Sequence, residues 1–262
     1  MPEVSVRGRS LGYEAQPPDF GRSSLSLVFI HGSGGDREDW RQQLDGLSDL
    51  ATVIALELPG HGASDPPGES SVSAYADWVV DFVESLGLEK IMVIGCSLGS
   101  AVTQWLALSP RPWLVGIGLV GAGARLRVHP QFVEGILENR HKALETLIEY
   151  CLSPVSGERL RSKIRKKYRD VSAELIRGDL IACNEFDVME RVGEISVPTC
   201  ILVGEDDKLT PVKYSIFLHD AINGSRFFVI PKAGHLVMME RPREFNMLLG
   251  RFIEETGLVA RP

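Results

Sequence analysis

The sequence predicts an α/β fold: a mostly parallel central sheet with helices on both faces and a helical cap insertion. Three observations carry that expectation. Short apolar runs stop at glycine loops, amphipathic helical patterns lie between those runs, and one interval breaks the alternation. With 262 residues and 44% hydrophobic content, the chain is long enough to bury one large core.

Val4 and Val6 alternate with polar residues and Gly8 to Gln16 continues the pattern, as an antiparallel edge hairpin would. Two apolar runs follow, Leu25 to Ile30 and Val53 to Leu58. The first stops at His31-Gly32-Ser33-Gly34-Gly35 and the second at Pro59-Gly60-His61-Gly62, as buried parallel strands do. From Ser71 to Leu86, Val72, Tyr75, Val79, Phe82, Val83 and Leu86 recur at helical spacing, and Gly87 is placed to end the helix. Further strands are predicted at Ile91 to Ile94, Val115 to Val120, Thr199 to Val203 and Arg226 to Ile230, with a helix from Ser100 to Leu108 closed by Pro110. A last helix opens at Glu240-Arg241-Pro242 and turns Phe245, Leu248, Leu249 and Phe252 inward. Residues 125–193 are helical in pattern and separate two strands that should be neighbours. The predicted division is therefore a core of 1–124 and 194–262 with a helical cap insertion at 125–193.

Twenty-eight basic and 35 acidic residues give a net charge of −7, which argues against a nucleic-acid partner. Cys96, Cys151, Cys183 and Cys200 form no CxxC pair and have no histidine at metal-ligand spacing, so they read as reduced, buried thiols and no metal is expected. The opening Met1-Pro2-Glu3-Val4 has no basic stretch before an apolar run, and no segment reaches about 18 uninterrupted apolar residues. These features predict a cytoplasmic protein without membrane contact.

Gly95-Cys96-Ser97-Leu98-Gly99 fits G-x-S-x-G, with a strand before it and a helix after it. Such a turn holds its central residue in a strained conformation, and small flanking residues let strand and helix pass. It presents the Ser97 hydroxyl, with the Leu98 N–H at a helix N-terminus facing the same point. Cys96 is the neighbouring thiol, but one residue before the apex its side chain is expected to point into the interior.

A serine hydroxyl needs a base within hydrogen-bonding reach. Of six histidines, His31 and His61 sit in glycine loops, His129 and His141 in the insertion, and His219 in a predicted helix. His235, in Pro231-Lys232-Ala233-Gly234-His235, follows the last strand and so reaches the same sheet edge as Ser97. An imidazole base in turn needs a carboxylate on its far side. Gly204-Glu205-Asp206-Asp207 follows a strand at that edge, and chemistry alone leaves the choice among the three acids open.

His31-Gly32, Leu58-Pro59-Gly60-His61-Gly62-Ala63-Ser64, the elbow, Gly204-Glu205-Asp206-Asp207-Lys208-Leu209-Thr210-Pro211 and Ala233-Gly234-His235 follow one another in an order that resembles the α/β-hydrolase superfamily over nearly the whole chain. The resemblance implies that Asp207, three residues after the glycine, is the acid. It also implies an oxyanion hole made by the N–H groups of Leu98 and Ser33. His31 and His61 are expected to brace loops. Glu57 stands where many relatives have Asp, and no chemistry is read from that change.

Two other signals are set aside. Gly116-Ile117-Gly118-Leu119-Val120-Gly121 has the letters of a dinucleotide fingerprint but lies within a strand, so no cofactor is expected. Asn223-Gly224-Ser225 reads as a tight turn. The cations Arg159, Arg161, Lys163, Arg165, Lys166, Lys167 and Arg169 interleave with Leu160, Ile164, Tyr168 and Val171. They read as the solvated face of an amphipathic helix, or as an attractor of an anionic substrate or membrane surface. The resemblance implies hydrolysis of a small-molecule carboxylic ester through an acyl-enzyme, and a monomer or homodimer is expected. Lactones, thioesters and carbon–carbon bonds suit the same residues, and a ligand sensor that retains its triad is the rival from another class.

Overall fold

The computed structural model describes residues 2–17, 25–109 and 111–259; Pro110, assigned above to a helix end, lies outside the described residues. β1 (Glu3–Val6) and β2 (Arg9–Gln16) form the antiparallel hairpin that their alternation predicts. β3 (Ser26–Ile30), β4 (Thr52–Leu56), β5 (Ile91–Cys96), β6 (Leu114–Val120), β7 (Thr199–Gly204) and β8 (Arg226–Ile230) follow. The eight strands make one sheet in the order β1-β2-β4-β3-β5-β6-β7-β8, antiparallel at β1-β2 and β2-β4 and parallel from β4 onward. Val28 pairs with Ile54 on one side and with Val93 on the other.

Because side chains alternate along a strand, β3 feeds two cores at once. Leu27 and Phe29 pack with Trp40, Leu44, Phe245, Leu249 and Phe252, whereas Val28 and Ile30 pack with Tyr75, Val79, Phe82, Val102 and Leu106. The first group comes from α1 (Arg41–Gly46), the turn before it and a C-terminal helix; the second comes from α2 (Val72–Ser85) and α3 (Leu98–Ala107). Ser71 caps α2 by accepting from the Ala74 N–H, and Gly87, at φ 63°, ends that segment as expected.

Most element ends shift by one or two residues from the sequence reading, and one strand end and one missed helix have a visible cause. β4 stops at Leu56 rather than Leu58, because the Leu58 N–H leaves the ladder to donate to the His31 Nε2 at 3.1 Å. The 3-10 turn Arg37–Trp40 and α1 had no counterpart in the prediction, although Trp40, Leu44 and Leu47 recur at helical spacing and are buried.

Four helices occupy the interval between β6 and β7: α4 (Pro130–Glu138), α5 (Arg140–Cys151), α6 (Glu158–Asp170) and α7 (Ala173–Glu185). The ends of the interval lie side by side, since Arg125 bridges to Asp187 and the Val188 N–H donates to the Ala124 carbonyl at 2.8 Å. α8 (Val212–Ala221), α9 (Val237–Glu240) and α10 (Pro242–Glu255) complete the chain. Among the described residues, no helix is long and apolar enough to cross a membrane. Since β3, β5, β7 and β8 run parallel, the loops carrying His31, Ser97, Asp207 and His235 all emerge at one edge of the sheet.

Candidate active site

β5 runs straight into α3 through Ser97, which is held at φ 54°, ψ −115°, a conformation few non-glycine residues adopt. The approach is close enough to explain both flanking glycines. A Cβ at Gly95 would stand 2.0 Å from the Gly99 carbonyl oxygen, and one at Gly99 would stand 2.3 Å from that of Ile30. Cys96 is fully buried, its Sγ 3.9 Å from the His235 carbonyl oxygen, and burial pushes its thiol well up. It has neither the exposure nor the thiolate character of a nucleophile.

His235 and Asp207 meet directly: Nδ1 lies 2.8 Å from the Asp207 Oδ2. The carboxylate is itself held, because Oδ1 accepts from the N–H groups of Leu209 and Thr210, each at 2.9 Å, and Oδ2 accepts from the Thr210 Oγ1 at 2.8 Å. Nδ1 therefore carries the proton, and Nε2, buried and without a hydrogen-bond partner among the described residues, presents a lone pair. Burial opposes the charged imidazolium, but the charge and hydrogen bond of Asp207 outweigh it and hold the His235 pKa above its ordinary value. Glu240, which the sequence reading treated only as a helix start, adds to that field. Its carboxylate accepts from the N–H groups of Gly234 and Ser153, both at 2.8 Å, and so fixes the loop that carries His235. Asp206 accepts instead from the Ser153 Oγ at 2.5 Å.

Ser97 and His235 open onto the same cavity of about 250 Å³, together with Gly32 and Ser33. The loop after β3 lies against the elbow: a Cβ at Gly32 would stand 3.2 Å from that of Ser97. His31 holds the loop through both ring nitrogens, Nδ1 donating to the Gly32 carbonyl at 2.8 Å and Nε2 accepting from Leu58. That pattern requires a neutral ring, and burial together with the nearby His61 charge pushes the His31 pKa down to about 3. Gly32 also accepts from the Gly35 N–H at 3.0 Å, so the amide ending in the Ser33 N–H is anchored at its carbonyl end.

Most of the cavity wall is apolar and much of it comes from α4 to α7, including Phe132, Leu147, Ile164 and Leu180. Here the reading of α6 needs correction. Arg159, Lys163, Lys166 and Arg169 are exposed as expected, but Lys167 turns inward and pairs with Asp36 at 2.7 Å and Asp39 at 2.5 Å. Ile164 and Tyr168 set the buried face of the helix, and Lys167 lies on its margin. Burial opposes ionisation at both acids; the lysine wins at Asp36, which is held low, while burial wins at Asp39, which is raised.

Asp179 of α7 was also missed. It is fully buried and accepts from the Tyr75 Oη at 2.6 Å, from the His61 Nε2 at 3.0 Å and from the Gly34 N–H at 2.9 Å. Its burial is outweighed by the His61 charge and these hydrogen bonds, which hold its pKa low, and its own charge raises that of His61. The signal was a lone acid on the apolar stripe Ile176, Leu180, Cys183. Among the described residues, no group of three or more His, Cys, Asp or Glu side chains could hold a metal ion.

The sequence model of the alpha/beta hydrolase family matches residues 27–248. A solved thermophilic esterase superposes with a TM-score of 0.86 at 34% identity, covering 98% of each chain. The 3-oxoadipate enol-lactonase 1 of Acinetobacter baylyi is 24% identical over 95% of this chain and 94% of its own. The dihydrolipoyllysine-residue acetyltransferase component of the acetoin cleaving system of Cupriavidus necator is 28% identical over 89% of this chain, which spans 64% of that relative's length.

Proposed function

The chain belongs to the alpha/beta hydrolase family, and from that footing we propose that it is a serine hydrolase cleaving a small-molecule carboxylic ester, with Ser97 as nucleophile, His235 as general base and Asp207 as the orienting acid. Residues 125–193 serve as its cap. The observation that carries the reading is the His235 Nδ1 contact to Asp207, which leaves Nε2 unpartnered in the cavity that Ser97 also lines.

As the Ser97 Oγ attacks the ester carbonyl, its proton passes to the His235 Nε2, and Asp207 stabilises the imidazolium without taking a proton. The carbonyl oxygen becomes an oxyanion between the N–H groups of Ser33 and Leu98, each worth on the order of 3 kcal/mol at the transition state. Collapse returns the proton from His235 to the departing alkoxide and leaves an acyl-serine. Water, deprotonated by His235, then attacks the acyl carbon, and Ser97 leaves with the returned proton.

Size and lining suggest the substrate. The cavity, of about 250 Å³, is smaller than a typical drug-sized site of roughly 300 Å³ or more. Leu126, Val128, Phe132, Leu147 and Leu180 suit a short apolar acyl group. A lactone is the second reading, favoured by the end-to-end match to an enol-lactonase.

Labelling with a fluorophosphonate, wild type beside Ser97→Ala, tests the nucleophile, and a panel of p-nitrophenyl esters and lactones tests the substrate. Covalent labelling of Ser97 alone and sustained turnover of short-chain esters are expected. Label on any other residue, or a single slow turnover followed by arrest, would overturn the enzyme reading; the second outcome is the mark of a ligand sensor.

A further inference from the structure

One peptide unit in the loop after β3 is gripped from both sides by the helices above it. The Ser33 carbonyl accepts from the Tyr168 Oη of α6 at 3.1 Å, and the Gly34 N–H at the other end of the same peptide donates to the Asp179 Oδ2 of α7 at 2.9 Å. Resting on the serine-hydrolase reading, we propose that Tyr168 and Asp179 are positioning residues that fix the Ser33–Gly34 peptide, and through it the Ser33 N–H that receives the oxyanion.

The turn explains why an external grip is needed. The Gly35 N–H closes it onto the Gly32 carbonyl, and Gly34 sits at φ +62°, the signature of a type II turn with Ser33 and Gly34 at its centre. A type I turn keeps the same closing bond and differs by rotation of the central peptide alone. Glycine adopts either form at little cost, so the loop's own sequence does not select between them. Tyr168 and Asp179 make the selection. Rotation would turn an N–H toward the tyrosine hydroxyl and a carbonyl toward the Asp179 carboxylate, with both native bonds lost.

Each partner is built for its part. The Tyr168 ring lies on the loop, since a Cβ at Gly34 would stand 2.8 Å from its Cε1. Asp179 is fixed by Tyr75 and His61, both rooted in the sheet's own helices and loops rather than in the insertion. The Gly32–Ser33 amide is already anchored at its carbonyl by His31 and Gly35. Rotation of the central peptide leaves the Ser33 N–H in its own plane but frees the chain on the other side of the Ser33 Cα; with both planar units clamped, the Ser33 N–H is held against rocking about that Cα. Transition-state stabilisation thereby depends on where α6 and α7 sit, and both already hold the peptide with the cavity open.

The test uses p-nitrophenyl butyrate as substrate, hexyl trifluoromethyl ketone as a mimic of the tetrahedral oxyanion, and hexanoate as a ground-state mimic. In Tyr168→Phe, which keeps the ring and removes the hydroxyl, kcat is expected to fall about tenfold and the ketone Ki to rise by the same factor, a fraction of the roughly 10²-fold to 10³-fold loss of a whole oxyanion donor. KM and hexanoate affinity should stay within about twofold, a split that loss of packing alone would not produce. Asp179→Ala should lose more, and Asp179→Asn, whose amide oxygen can still accept from Gly34, should recover part of that loss. If Asp179→Ala does not fold, Tyr168→Phe decides. The proposal is overturned if Tyr168→Phe keeps both kcat and ketone Ki within about threefold of wild type, or if hexanoate weakens as much as the ketone. Absence of any Ser97-dependent turnover in the wild type would instead remove the hydrolase reading beneath it.

Discussion

Replacing Asp207 by Asn changes one atom and, in this site, reverses one hydrogen bond. The Asp207 Oδ1 accepts from two backbone N–H groups, Leu209 and Thr210. An amide in the same place must keep its oxygen there, because its NH₂ would face two donors. The NH₂ is therefore forced into the Oδ2 position, 2.8 Å from the His235 Nδ1. It donates where the carboxylate accepted, so Nδ1 loses its proton and Nε2 carries it. A protonated Nε2 cannot take the Ser97 proton, and kcat should fall about 10⁴-fold, on the order of 5 kcal/mol of transition-state stabilisation. The assay is steady-state hydrolysis of p-nitrophenyl butyrate beside Asp206→Asn, with thermal melts of both. Asp206 faces the Ser153 hydroxyl rather than the imidazole, so that variant should keep kcat within about threefold and lose roughly 1 kcal/mol of stability at most. An Asp207→Asn enzyme within about tenfold of wild type, or an equal loss in Asp206→Asn, would refute the assignment of the acid.

The acid limb of kcat/KM should have its midpoint above the ordinary histidine value of 6.5, because Asp207 raises the His235 pKa and only the neutral ring is a base; a midpoint below that value counts against the pairing. The same group acts oppositely on stability. Its contribution is fully present below the unfolded histidine pKa and is lost as pH rises through the folded one, which denaturant titrations across that range would register. Gly121, at φ 51°, leaves no room beside the ring, since a Cβ there would lie 2.8 Å from the His235 Nδ1; Gly121→Ala should lower kcat about 10²-fold, and an unchanged kcat would show that the ring tolerates displacement. Lys167→Met leaves the buried Asp39 carboxylate beside that of Asp36 with their shared cation gone and should cost about 3 kcal/mol near neutral pH. That deficit should shrink as pH falls and Asp39 takes a proton, and a deficit that grows in acid would contradict the account.

The parts of this molecule legible in its sequence are those governed by local rules. β3, β5 and β7 are apolar runs cut off by glycine loops, α2 has a cap and a stripe, and the elbow needs both of its glycines for clearance. That His235 would meet an acid of the Glu205-Asp206-Asp207 turn was also foreseeable, because parallel strands deliver their loops to one edge, whereas the choice of Asp207 among the three came from the family resemblance. What escaped depends on contacts between distant segments. Nothing near Asp179 indicates that it faces Gly34, 145 positions away, and Lys167 resembles its charged neighbours until Asp36 and Asp39 are brought beneath it. Polar residues at the margin of an apolar helix stripe were the common thread among the omissions.

Ser97 sits at a positive φ that an L-residue occupies at a penalty of about 1 kcal/mol or more, and glycine would occupy it freely. Substituting glycine there should raise the melting temperature while abolishing turnover. On the serine-hydrolase reading, this backbone stops short of the robustness within its reach, and a screen that ranks variants by thermal resistance alone would promote an inert protein over an active one.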